Sequence, residues 1–263
     1  MPSASKSKAQ RRAESQQRAA ERRAAEKRAK NTKLAIRFGG LAVLIAVIVV
    51  VVVVVTSGSS GVPPSQKNPH VPTEAIPASL HLTADPPTKP GYEAIPIPIG
   101  SKLATLTNAV TGQAIDGVQC QTDEQTVTHV HTHLTIFVNG KAKIIPYGIG
   151  IPGFEAVETP DGPFVETGSC FYWLHTHAED GIIHIESPSL TTKFTLSQFF
   201  DEWGQPLSST QVGPAKGKVT VFFNGRLFTG NPGSLPLGDH YEIQLDVGTP
   251  IVAPVKVKSW GGL

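Results

Sequence analysis

The longest apolar stretch in the chain is an unbroken run from Phe38 to Val55, FGGLAVLIAVIVVVVVVV, 18 residues without a charge. As a helix it would rise about 27 Å, close to the thickness of a bilayer's hydrocarbon core. A helix buried in a soluble core would carry a polar face, and this run has none, so it predicts a transmembrane helix. Downstream the period changes to two. In His129–Val138 (HVHTHLTIFV) Val130, Thr132, Leu134, Ile136 and Val138 share one face, and His129, His131, His133, Thr135 and Phe137 share the other. Asn139–Gly140 then signals a type I′ hairpin, and the chain returns through Lys141–Pro146. The same pattern recurs at Val219–Phe223, Asn224–Gly225 and Arg226–Phe228, and Tyr241–Val247 reads as a late strand. One helix stands out. Thr195 and Gln198 form a capping box, Phe194 and Phe199 occupy staple positions, Leu196, Phe199, Phe200 and Trp203 recur at helical spacing, and Gly204 ends it.

Between the apolar run and the strands, residues 56–100 hold ten of the 22 prolines. Proline removes backbone donors and favours extended chain, so this stretch predicts a stalk, with the folded domain over 101–263. The expected fold class is α+β, mainly β: an N-terminal transmembrane helix followed by a β-rich domain with one packed helix. Hairpin, helix, then further strands is compatible with a β-grasp-like order.

The net charge of +2 hides two opposite parts. Residues 1–37 carry 12 of the 23 basic residues and only Glu14, Glu21 and Glu26, a charge of +9, and the remainder carries −7. This tail of good helix formers has too few large apolar side chains to bury a core. Basic residues before the span and few after it place the N-terminus in the cytoplasm and the domain outside the membrane. A cleaved signal peptide is the rival; the long basic region and the lack of an Ala-x-Ala site favour a signal anchor. The expected partners are the lipid bilayer and, for the tail, anionic lipid head groups. The acidic domain argues against nucleic acid.

Six of the nine His lie in two segments. His129, His131 and His133 share a strand face, but the first and last would stand about 13 Å apart, too far for all three to ligate one ion without strain. The second segment is WLHTHAEDGIIHIE, Trp173–Glu186. A two-residue loop at Asp180–Gly181 would set His177 opposite His184 and His175 opposite Glu186; a four-residue loop, Ala178–Gly181, would set His175 opposite His184. Either way His175, His177, His184 and Glu186 share a face, and Leu174, Ile183 and Ile185 point to the core. Three imidazoles and a carboxylate suit a transition-metal ion, Zn²⁺ or Cu²⁺ ahead of Fe²⁺. The bland alternative is a His/Thr ladder hydrogen-bonded to backbone under neighbouring loops. Cys120 and Cys170, the only cysteines, precede the two His segments. Outside the membrane they favour a disulfide over a thiolate ligand in a blue-copper site, for which the chain offers no Met beyond Met1.

His-x-His with a Glu and a later His resembles the cupin motif. Here Glu186 follows the third His and the glycine frame is absent, so no cupin activity is implied. The runs DGVQCQTDEQ, HVHTHLTIFVNG, CFYWLHTHAEDGIIHIESP, FTLSQFFDEWG and VTVFFNGR, within residues 115–248, resemble a family of bacterial membrane-anchored or secreted proteins. That resemblance implies location and implies no activity. Three functions are open: a metal-binding module outside the membrane, a metalloenzyme with a His₃ site and Glu179 or Glu186 as general base, or a metal-free domain binding an extracytoplasmic protein partner. No P-loop, Rossmann fingerprint or Ser-His-Asp elbow is present.

Overall fold

The structure is a computed structural model and describes residues 71–106 and 110–263. Among these residues nine strands build the main sheet: β1 (Thr73–Glu74), β2 (Ser101–Lys102), β3 (Thr128–Val138), β4 (Lys141–Ile144), β5 (Leu174–His175), β6 (Ile182–Ser187), β7 (Val219–Phe223), β8 (Arg226–Phe228) and β9 (Tyr241–Val247). The helix α1 (Leu196–Trp203) lies between β6 and β7 in the chain. The order across the sheet is β1-β8-β7-β9-β3-β6-β5. At its centre β3 and β9 run parallel. The other edge of β3 is shared: Ile136–Val138 pair with β4, and Thr128–His133 pair with β6. The described molecule is therefore mainly β with one α-helix, as the alternation and the single capping box anticipate.

The local devices act where their residues stand. Asn139 and Gly140 take φ of 50° and 71°, and Asn224 and Gly225 take 49° and 73°, the left-handed pair a type I′ turn requires. Thr195 opens α1, with Gln198 Oε1 accepting the Thr195 N–H at 2.9 Å. Gly204 closes it at φ 68°.

The two faces of the sheet have opposite chemistry. Leu134, Ile136, Ile183, Ile185, Ile243 and Leu245 face α1, whose Leu196, Phe199, Phe200 and Trp203 are all buried in the same cluster. The reverse face carries the histidines of β3, β5 and β6 and, on β9, Glu242, Gln244 and Asp246. The C-terminal segment covers the β9 part, and its backbone donors are met by those side chains. Val252 N–H donates to Asp246, Val255 N–H to Gln244 and Val257 N–H to Glu242, each at 2.8 Å. A polar sheet face is thus buried with its side chains answering these three amides.

The expected stalk is corrected over its described part. Residues 71–100 belong to the same unit as the sheet. Thr73–Glu74 extends its edge, Leu82–Thr83 pairs in parallel with Ile251–Val252, and Ile95 and Ile97 are buried. The prolines of EAIPIPIG keep the chain extended, while the alternate isoleucines supply an apolar side. The folded unit therefore begins well before residue 100. Among the described residues no helix is long and apolar enough to cross a membrane. The expected span Phe38–Val55, the basic tail and residues 56–70 lie outside the described residues.

Candidate metal centre

Three adjacent strands assemble the site. His184 on β6 stands opposite His131 on β3 and opposite His175 on β5. This is the register of the four-residue loop, although pairing on β5 stops at His175 and residues 176–181 form the connection. One step along, Glu186 stands opposite His129. The sheet thereby joins the two His segments, which the sequence presents as separate clusters. Gly181 makes the turn possible: its φ is 82°, and a Cβ there would stand 2.3 Å from the Leu134 carbonyl oxygen.

His175 and His177 are both buried and aim at one point. His175 Nδ1–H donates to the Tyr172 carbonyl at 2.8 Å, and His177 Nδ1–H donates to the Val165 carbonyl. A carbonyl only accepts, so both protons sit on Nδ1 and both Nε2 lone pairs face inward. Those two nitrogens are 3.1 Å apart. Two imidazole nitrogens bound to one tetrahedral ion at about 2.0–2.1 Å stand about 3.3 Å apart. Only a cation, a proton or a metal ion, relieves two lone pairs held so close. His175, His177, His184 and Glu186 each offer an atom within 4.8 Å of the others. His184 Nδ1 and Glu186 Oε2 are buried without a hydrogen-bond partner in the protein. These buried groups can hold a metal ion, and the backbone bonds to Nδ1 are the supports that metal-binding imidazoles use.

Burial sets the protonation. It drives His175 and His184 well below the usual imidazole range, and the positive potential of His177 adds to both. Burial also pulls down on His177, yet its bond to Glu124 and the Val165 carbonyl raise it. Desolvation pushes Glu186 up to about 7. The Glu124 carboxylate lies 3.3 Å from His177 Nε2.

Several expectations are refined here. His129 and His131 form a second set with His184, again within 4.8 Å. His133 belongs to neither set. It is two residues further along β3 and its Nε2 bonds the Asp180 carbonyl oxygen at 3.0 Å, as the length of a straight strand requires. Glu179 faces away to Lys102 Nζ at 2.7 Å, so it has no place as a general base here. Cys120 and Cys170 form a disulfide, which removes thiolate from the donor set and ties β3's approach to that of β5.

Two partners are invisible to sequence reasoning. Glu93 comes from the expected stalk, and its Oε1 accepts from His184 Nε2 at 2.9 Å. Burial raises Glu93 to about 7, and it lies beside Asp180, which burial and Glu93 together raise well above the carboxylate range. Glu124 lies in the loop after Cys120. No local pattern marks either residue; a lone Glu within a Pro-rich stretch reads as solvated chain.

No protein-family model, curated protein or solved structure matches the chain.

Proposed function

We propose that the domain binds a transition-metal ion, Zn²⁺ or Cu²⁺, through His175, His177, His184 and Glu186. One observation carries this reading: two buried Nε2 lone pairs, fixed by backbone carbonyls on Nδ1, converge at 3.1 Å. Three imidazoles and one carboxylate, without thiolate, suit these two ions. We propose further that the chain is a single-pass protein of a bacterial cell membrane, its tail against anionic lipid in the cytoplasm and this domain outside. The charge asymmetry, the apolar run and a disulfide suited to an oxidising compartment support that placement. So does the resemblance to bacterial membrane-anchored or secreted proteins. The sheet order β8-β7-β9-β3-β6, with β3 parallel to β9 and α1 on one face, supports a β-grasp-like scaffold.

A second reading has a specific observation behind it. Glu186 Oε1 is 3.9 Å from His175 Nε2, further than the 3.1 Å between the His175 and His177 Nε2 atoms. With Glu186 standing off, three His leave an open position for water and Glu186 becomes its general base. Metal analysis of the chain purified without a polyhistidine tag, beside a His175→Ala/His177→Ala variant, tests the first reading. Metal retained by the wild type and lost by the variant is the expected result, and a wild type indifferent to Zn²⁺ and Cu²⁺ in thermal shift would sink it. Exchangeable water on the bound ion, read by proton relaxation of the Cu²⁺ form, separates the enzyme reading from a closed site.

A further inference from the structure

The donor atoms of the histidine face fall into two sets. One is His175, His177, His184 and Glu186; the other is His129, His131 and His184. The division follows from sheet geometry. β6 is the middle strand, with β3 on one side and β5 on the other, each about 4.8 Å away. His184 therefore has an imidazole neighbour on both sides, His131 at 4.6 Å and His175 at 5.3 Å between ring centroids.

Glu186 is placed the same way. Its Oε1 lies 3.1 Å from His129 Nε2, 3.5 Å from His184 Nδ1 and 3.9 Å from His175 Nε2. Its other oxygen has no protein partner and neither does His131 Nε2, although both are buried. A single ion at the His175–His177 convergence point leaves His131 Nε2 unanswered, which is costly for a buried polar atom.

We propose that this face holds two transition-metal ions side by side, one on the β5 side with His175 and His177 and one on the β3 side with His129 and His131, bridged by the middle-strand Glu186, with His184 Nδ1 between them completing one of the two sets. This rests on the metal-binding reading above and extends it from one ion to a pair. A carboxylate with two oxygens is the group able to bridge neighbouring ions, which stand about 3.5–4 Å apart in known two-metal sites; His184, whose Nε2–H is held by Glu93, offers Nδ1 alone. The β3-side position is the more open, because the His129 side chain is 47% exposed and borders solvent. The β5-side position is closed by buried residues.

The test uses the full chain in mild detergent, without a polyhistidine tag, titrated with Cu²⁺ alone and with Zn²⁺ alone. Wild type is expected to retain two equivalents after dialysis. His129→Ala/His131→Asn should retain one. The electron paramagnetic resonance of the Cu²⁺ form should account for all copper at one equivalent and fall below half of it at two, because adjacent Cu²⁺ ions couple. That measurement needs no variant, so a misfolded variant leaves the test intact. Saturation at one equivalent, unchanged in His129→Ala/His131→Asn, overturns the pair and leaves the single site standing. Full signal intensity at two equivalents places the ions apart and also overturns it. No retained metal at all overturns both proposals.

Discussion

Lowering the pH from 7.5 to 6.0 should weaken metal binding, by an amount that Glu186 sets. Its carboxyl is 3% exposed, and desolvation raises it to about 7. Below that pH the folded protein holds a proton on Glu186 that an ion must displace, so affinity is full above about 7 and is lost as pH falls. The deprotonated fraction drops from about three quarters at pH 7.5 to about one tenth at pH 6.0, which is roughly an eightfold loss, or about 1 kcal/mol. His177, raised by Glu124 and the Val165 carbonyl, loses affinity in the same direction, so the total loss exceeds eightfold. Competition against a chromophoric chelator for Zn²⁺, with the chelator's own protonation corrected, reads the effect. Glu186→Gln should bind more weakly throughout and lose the eightfold component while keeping the His177 component. An affinity that is flat from pH 7.5 to 6.0, or that falls just as steeply in Glu186→Gln, would refute the assignment of Glu186 as a ligand.

Three further outcomes follow from the same geometry. Glu93→Ala removes the acceptor on His184 Nε2 and should weaken the metal by about 10–100-fold without unfolding the domain, as loss of outer support does elsewhere; an unchanged chelator competition would show that Glu93 does not orient the ligand. Phe199→Ala empties a fully buried position between α1 and the sheet and should cost about 3–5 kcal/mol in urea unfolding; a loss below 1 kcal/mol would mean that α1 does not seal the core. Cys170→Ser opens a loop with a sequence separation of 50 and should cost about 4 kcal/mol on the chain-entropy view; thiol titration of the unfolded, unreduced chain should find no free thiol, and two would refute the bridge.

The sequence by itself determined the elements. Strict alternation over His129–Val138 and the two Asn-Gly pairs gave strands and hairpins, because a period of two and positive φ are local requirements that need no partner. Thr195, Gln198 and Gly204 bounded the helix for the same reason. The sharing of one face by His175, His177, His184 and Glu186 was legible too, since any even loop preserves it. The tertiary structure decided everything that depends on which strand lies beside which. Only the pairing of β6 with both β3 and β5 brings His129 and His131 to the same patch and leaves His133 out of it. Only the path of the Pro-rich segment across the sheet delivers Glu93 to His184. Prolines that lack donors look alike whether an extended chain runs through solvent or over a polar face. The difference lies in the burial of Ile95 and Ile97, which is possible only once the strands have met.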